Sequence, residues 1–283
     1  MSEDTPYAPA PDYGSAPPPS PSTHDEMAAP PQMGAFARLG NIFFGPGDVF
    51  EDVRRSPRGW WLPIVILLVV ATGVGYVAQT RLGLTPEVLA GAAVDSALEQ
   101  QHKTRKDLSD AERDAYAKQE KFTATIFRFG PVVGLVYFPI FFGIMAGAYY
   151  VILMILQAKT TYMRVLAVAA YSYFAPNVLK AVLQGVFALV KSPDDVDPQA
   201  FIQGGGLLTT SLSFLTSFKD HPALWTLLSW FDVFSIGFLV LLAIGFSHIT
   251  LKRMKTGTAF LAAAAPYVIF MLLSTATKLV MSK

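Results

Sequence analysis

Five stretches of the chain carry almost no charge, and their lengths restrict the folds open to it. Gly59 to Thr80 is 22 residues without an acidic or basic side chain, and Phe129 to Ala158 is 30. Val165 to Val190 contains one charge, Lys180, and Val233 to Leu251 is 19 residues with only His248 as a titratable group. Thr256 to Thr277 adds 22 more uncharged residues. A helix needs about 20 mainly apolar residues to cross a hydrocarbon layer ~30 Å thick. Unpaired backbone groups cannot face lipid, so such segments must be helices or barrel strands, and no alternating-hydrophobicity strands are seen. The pattern predicts an all-α integral membrane bundle of five transmembrane helices. They fall at about 60–80, 129–157, 165–190, 229–250 and 257–278, inside a domain spanning 59–281.

Composition agrees with lipid as the solvent. Charged residues make up 15% of the chain, where soluble proteins carry about 25%. The formal net charge of +1 lacks the basic excess of a nucleic-acid binder. With no cysteine in the chain, thiolate metal sites, iron–sulfur clusters and a cysteine nucleophile are excluded. His24, His102, His221 and His248 lack zinc-ligand spacing, and there is no nucleophile elbow, Walker A loop or dinucleotide fingerprint. The expectation is a protein that is not an enzyme, with no catalytic residue, cofactor or metal.

Lys and Arg near the spans set an orientation. Arg38, Arg54, Arg55, Arg58, Lys159, Arg164, Lys252, Arg253 and Lys255 stand on one side, against Lys191, Lys219, Lys278 and Lys283 on the other. The N-terminus is expected in the cytoplasm and the C-terminus outside, in a multi-pass cytoplasmic membrane protein. Trp60 and Trp61 at one end, with Trp225 and Trp230 at the other, occupy positions where interface aromatics belong.

Residues 1–35 hold nine of the 20 prolines and five acidic residues, with no Lys or Arg. So polar and proline-rich a segment reads as a disordered leader, or as a docking tail for a proline-reading module. Residues 36–58 are different. Phe36, Leu39, Ile42 and Phe43 recur at helical spacing, as do Val49, Phe50 and Val53, with Gly45-Pro46-Gly47 between the two runs. Neither half is long enough to span, so each is expected in the headgroup region with its arginines toward phosphates. Phe44, Gly45, Pro46, Phe50 and Pro57 mark this interfacial motif.

The first loop predicts two polar helices, capped at Thr85-Pro86-Glu87 and by a capping box from Ser109 to Glu112. Leu207 to Phe218 is amphipathic and short, which predicts a helix at the outer interface.

Ionisable groups at membrane depth are costly and merit a role. Lys180 lies near the middle of the third span, and Asp232 near the outer end of the fourth. Opposite helix directions bring both into the outer half, so Lys180 and Asp232 are expected to pair, with Gln184 one turn above Lys180 as a further partner. Such a pair serves either as a tie fixing helix register or as part of a polar substrate or ion path. Gly143 and Gly147 form a Gly-x-x-x-Gly in the second span, expected to admit a close helix neighbour.

The run from Asn41 through Phe44-Gly45-Pro46-Gly47-Asp48-Val49-Phe50 to Ser56-Pro57, followed by Trp60-Trp61-Leu62-Pro63, resembles the start of a bacterial Yip domain. Ala170-Tyr171-Ser172-Tyr173 with Pro176, and Asp232-Val233-Phe234-Ser235-Ile236 leading into Leu242-Ala243-Ile244-Gly245, are similar to later parts of that family. The resemblance covers about residues 36–281. The Ypt-interacting proteins are polytopic membrane proteins whose eukaryotic members bind small GTPases and act in vesicle traffic and membrane shaping. No residue here carries GTPase binding over. The resemblance implies a non-enzymatic membrane protein that organises membrane or recruits partners. Its expected partners are the lipid bilayer, and proteins met through the tail or interfacial helices; no nucleic acid is expected, and the oligomeric state is left open. The competing expectation is a small transporter or channel working through Lys180 and Asp232.

Overall fold

A computed structural model describes residues 31–101, 103–204, 206–218, 220–250 and 254–281. The predicted tail therefore lies outside the described residues as far as residue 30. Among the described residues the fold is all-α, with eleven helices. Two short ones come first, α1 (Ala35–Asn41) and α2 (Pro46–Arg55). After α3 (Trp61–Leu82) comes a hairpin of α4 (Pro86–Gln100) and α5 (Asp110–Arg128). Then follow α6 (Gly130–Ile155), α7 (Tyr162–Val190), and the short α8 (Pro198–Gly204) and α9 (Pro222–Ser229). The chain closes with α10 (Val233–Ile249) and α11 (Thr256–Met281).

Four of these, α3, α6, α7 and α11, are long and apolar enough to cross a membrane. At 1.5 Å per residue even α3 reaches about 33 Å. The fifth apolar helix, α10, has 17 residues and reaches only about 25 Å. It starts later than the expected 229–250 because Asp232 caps it. Asp232 Oδ1 accepts from the amides of Phe234 at 2.7 Å and Ser235 at 3.2 Å. Residues up to Ser229 belong instead to α9, which packs on α11.

The central helix is α7, in contact with α2, α3, α6 and α10. Every residue from Val165 to Ser172 is buried, and small alanines there let the neighbours close in. The outer faces are apolar: Ile144, Ile155, Leu261 and Phe270 are each more than 60% exposed. A solvated monomer rarely shows so large an apolar surface; here it is the surface that meets lipid. Kinks are provided for by Pro139, Pro176 and Pro266 inside α6, α7 and α11.

The first loop forms the two predicted helices. Thr85 Oγ1 accepts from Val88 N at 3.3 Å, and Ser109 and Glu112 complete their capping box. Val94, Leu98 and Leu108 make a small core between α4 and α5. Ion pairs Lys103–Glu112 at 2.9 Å and Arg105–Glu120 at 3.0 Å surround it.

Leu207 to Phe218 corrects an expectation. Only a single 3-10 turn, Leu212–Leu215, forms there. Ser211 instead makes an antiparallel bridge with Asp232, and Leu212 N donates to Phe231 O at 3.2 Å. The hydroxyl-rich run favours local side-chain bonds over a helix, as with Ser211 and Ser213, whose hydroxyls lie 2.7 Å apart.

Candidate functional site

Two polar centres stand out, one in the membrane domain and one where the N-terminal helices join it. In the first, Lys180 comes from the middle of α7 and Asp232 from the cap of α10. Lys180 Nζ donates to Asp232 Oδ2 at 3.2 Å, with the lysine side chain 25% exposed and the aspartate 9%. Thr210 Oγ1 donates to the same Oδ2, while Oδ1 takes the two cap amides. An ionised carboxylate offers about four acceptor positions, and all four are used. One carboxylate therefore ties α7, α10 and the 207–216 connection together. Lys180 also stands 5.9 Å over the Phe234 ring, a cation–π contact.

Gln184 lies beside this pair, one helical turn beyond Lys180. Its amide packs against Gly206, where a Cβ would come within 2.2 Å of Gln184 Nε2. Gln184, Lys180, Asn177 and Tyr173 together line an open groove, with Leu67, Ala71, Phe138 and Ala181 as its apolar walls. Asn177 Nδ2 donates back to Tyr173 O at 2.8 Å.

Gly143 meets the start of α7, whose Tyr162 Oη donates to Gly143 O at 2.9 Å, whereas Gly147 has no close neighbour. A Cβ on Gly147 would meet nothing within 4 Å, and one on Gly143 only Tyr162 Oη at 3.5 Å. The spacing places both on one side of α6, where each is half-buried. Closer approaches are made by Gly245 of α10, where a Cβ would lie 2.3 Å from Val168 Cγ1, and by Gly134 of α6, where it would lie 2.8 Å from Leu68 Cδ1 of α3.

The second centre is the seat of α1 and α2. Pro46 occupies the first turn of α2, after the Gly45 cap, where its missing amide is harmless. Val49, Phe50 and Val53 are fully buried in the main core, against α7 and α10. Phe50 faces Gly245 and Val168. The apolar side of α2, a helix expected in the headgroup region, is thus occupied by protein. Phe44 remains 90% exposed and Phe36 73%, and both are free to meet lipid. Pro57 lies in the connection leading to α3, beside Gly59, whose φ of 81° makes the turn.

Beneath this seat is a contact that periodicity alone passes over. Arg38 Nε donates to Asp52 Oδ2 at 2.7 Å, with both side chains no more than 3% exposed. Arg38 Nη1 also donates to Arg58 O at 2.9 Å, so α1, α2 and the entry to α3 are pinned at one point. A signal existed. Asp52 stands three residues after Val49, and Arg38 four before Ile42, so each charge sits on an apolar face.

A bundle of apolar helices around α7, with a buried amphipathic helix at one end, defines a multi-pass integral membrane protein. The family profile of the Yip1 domain matches residues 40–277, from the end of α1 to near the end of α11. The chain belongs to the Yip1-domain family. Comparison with curated proteins and with solved structures found no match.

Proposed function

We propose that this protein works by contact and shape: a non-enzymatic member of its family that organises membrane or recruits partner proteins. The observation that carries this reading is the seating of α2. Its apolar side is locked into the bundle core, while Phe36 of α1 and Phe44 on the turn between the two helices stay exposed. A rigidly held platform with exposed aromatics suits docking, because little freedom is lost when a partner binds. The distribution of Lys and Arg supports placing this platform on the cytoplasmic side of the cell membrane, with the C-terminus outside. Photo-crosslinking from position 44 in intact membranes, with and without residues 1–35, tests the reading. Discrete protein or lipid adducts are expected; adducts no different from those at an exposed site on α11, such as Leu261, would overturn it.

The groove beside Lys180 favours a second reading, a small transporter or channel with its polar site around Lys180 and Asp232. Against it, Asp232 already has all four acceptor positions filled, which suits a register tie better than a changing ligand site. Flux in proteoliposomes that disappears in Lys180→Met and Asp232→Leu, while the variants remain folded, would favour transport.

A further inference from the structure

At the end of the bundle where α2 meets α7, three donors are buried and unused. Arg55 Nε, Arg164 Nε and Thr160 Oγ1 are each shielded from solvent without a hydrogen-bond partner among the described residues. Thr160 and Arg164 are one helical turn apart, at the start of α7. Phe50 of α2 and Val168 of α7 meet at Gly245, and one turn beyond each stand Arg54 and Arg164, near enough for their charges to repel. Arg54 and Arg55 share Glu51, the first by a direct ion pair and the second at 3.9 Å. Arg54, Arg55 and Arg164 thus stand at the same end of the bundle, where Glu51 is shared by the α2 pair and no ion pair joins Arg164 to a carboxylate among the described residues. A partly buried cation is stable only when paired and hydrogen-bonded.

The position of the cluster limits what can pair with it. Arg164 is the third residue of α7, and the fully buried apolar run begins at Val165. The cluster therefore stands where the hydrocarbon layer gives way to headgroups. Guanidinium forks match tetrahedral oxyanions, which accept several charge-assisted bonds at once. We propose that this locus is a binding site for the phosphate of an anionic phospholipid headgroup, held by Arg55, Arg164 and the Thr160 hydroxyl. The site goes beyond the docking role above and does not depend on it.

The test uses the full chain in nanodiscs of phosphatidylcholine, alone or mixed with phosphatidylglycerol, with thermal unfolding as the readout. Phosphatidylglycerol is expected to raise the midpoint, and inorganic phosphate added to phosphatidylcholine discs is not. Arg55→Gln and Arg164→Gln should each weaken the apparent lipid affinity by about tenfold, as expected for one charge-assisted bond. Lys255→Gln, which removes an exposed charge on another loop, should leave it unchanged. Should Arg164→Gln fail to fold, Arg55→Gln and Thr160→Val decide, the latter keeping every charge. Equal stabilisation by both lipids, or an undiminished response in the decisive variants, overturns the proposal. Inorganic phosphate reproducing the gain overturns the lipid assignment. A gain seen only after removal of residues 1–30 overturns it in favour of the acidic tail as occupant.

Discussion

Gly245 of α10 and Val168 of α7 meet where only a hydrogen fits: a methyl group on Gly245 would stand 2.3 Å from Val168 Cγ1 and 3.3 Å from Phe50 Cδ1. Both α7 and α2 thus depend on the same missing side chain. Gly245→Ala should destabilise the protein by about 1–3 kcal/mol through overpacking. The thermal midpoint in detergent measures this, and Val168→Ala in the same chain should restore part of the loss. A wild-type midpoint in Gly245→Ala would mean that the helices separate freely there.

The Arg38–Asp52 pair offers a sharper contrast, since both groups are almost wholly buried. Arg38→Met leaves the Asp52 carboxylate without its cation, at a cost of about 3–5 kcal/mol. Arg38→Met/Asp52→Leu removes both charges and should be more stable than either single change. Folded yield after detergent extraction gives the order of the three. A double variant worse than Arg38→Met would show that the pair does not act as a unit.

Lys180 and Asp232 should behave differently, because Asp232 keeps three donors when the lysine is lost. Lys180→Met is expected to cost less than Asp232→Leu, which also removes the helix cap, itself worth about 0.5–2 kcal/mol. Asp232→Asn keeps a capping oxygen and should fall between them. A cycle of Lys180→Met and Asp232→Asn should show coupling of about 0.5 kcal/mol or more. Strictly additive effects on the unfolding midpoint would remove the ion pair from the account of this site.

How far these centres could be read from sequence depended on distance along the chain. The charge gaps located the long helices because a span is a local property of about 20 residues. Lys180 and Asp232 were visible as a pair because one stood alone inside a gap and the other at the edge of the next. Arg38 and Asp52 were not, since their meeting depends on how α1 folds back over α2. Gly143 and Gly147 show a different limit. Their spacing puts two glycines on one side of α6 but says nothing of what lies opposite, whereas the isolated Gly245, like Gly134 earlier in α6, stands in close contact with a neighbouring helix. At Leu207 to Phe218 the apolar pattern was read as a helix, but hydroxyls and the Ser211–Asp232 bridge gave the backbone other partners.

Outside the membrane, the α4–α5 hairpin carries a pH dependence with a definite sign. The Lys103 ammonium bonded to Glu112, with help from the Ser109 amide and hydroxyl, draws the Glu112 carboxyl down from 4.5 to about 2. A depressed carboxyl stabilises the folded hairpin fully above its ordinary value, and the contribution is lost as pH falls through 4.5 toward 2. Glu112→Gln should flatten this dependence, as followed by proteolysis of the loop across pH 5 to about 2. An unchanged profile in the variant would assign the effect to other carboxylates.

The burial of α2 also bears on the order in which the chain can be made. Val49, Phe50 and Val53 leave the ribosome before any span, but the wall they rest on includes α10, which follows more than half the chain later. Until α10 has entered the membrane, that apolar side has no protein partner and must wait at the bilayer surface. Contacts so distant in sequence form late. Final docking of α2 therefore reports that the apolar helices α3, α6, α7 and α10 have been made, so a chain cut short before α10 would carry its own exposed mark of incompleteness.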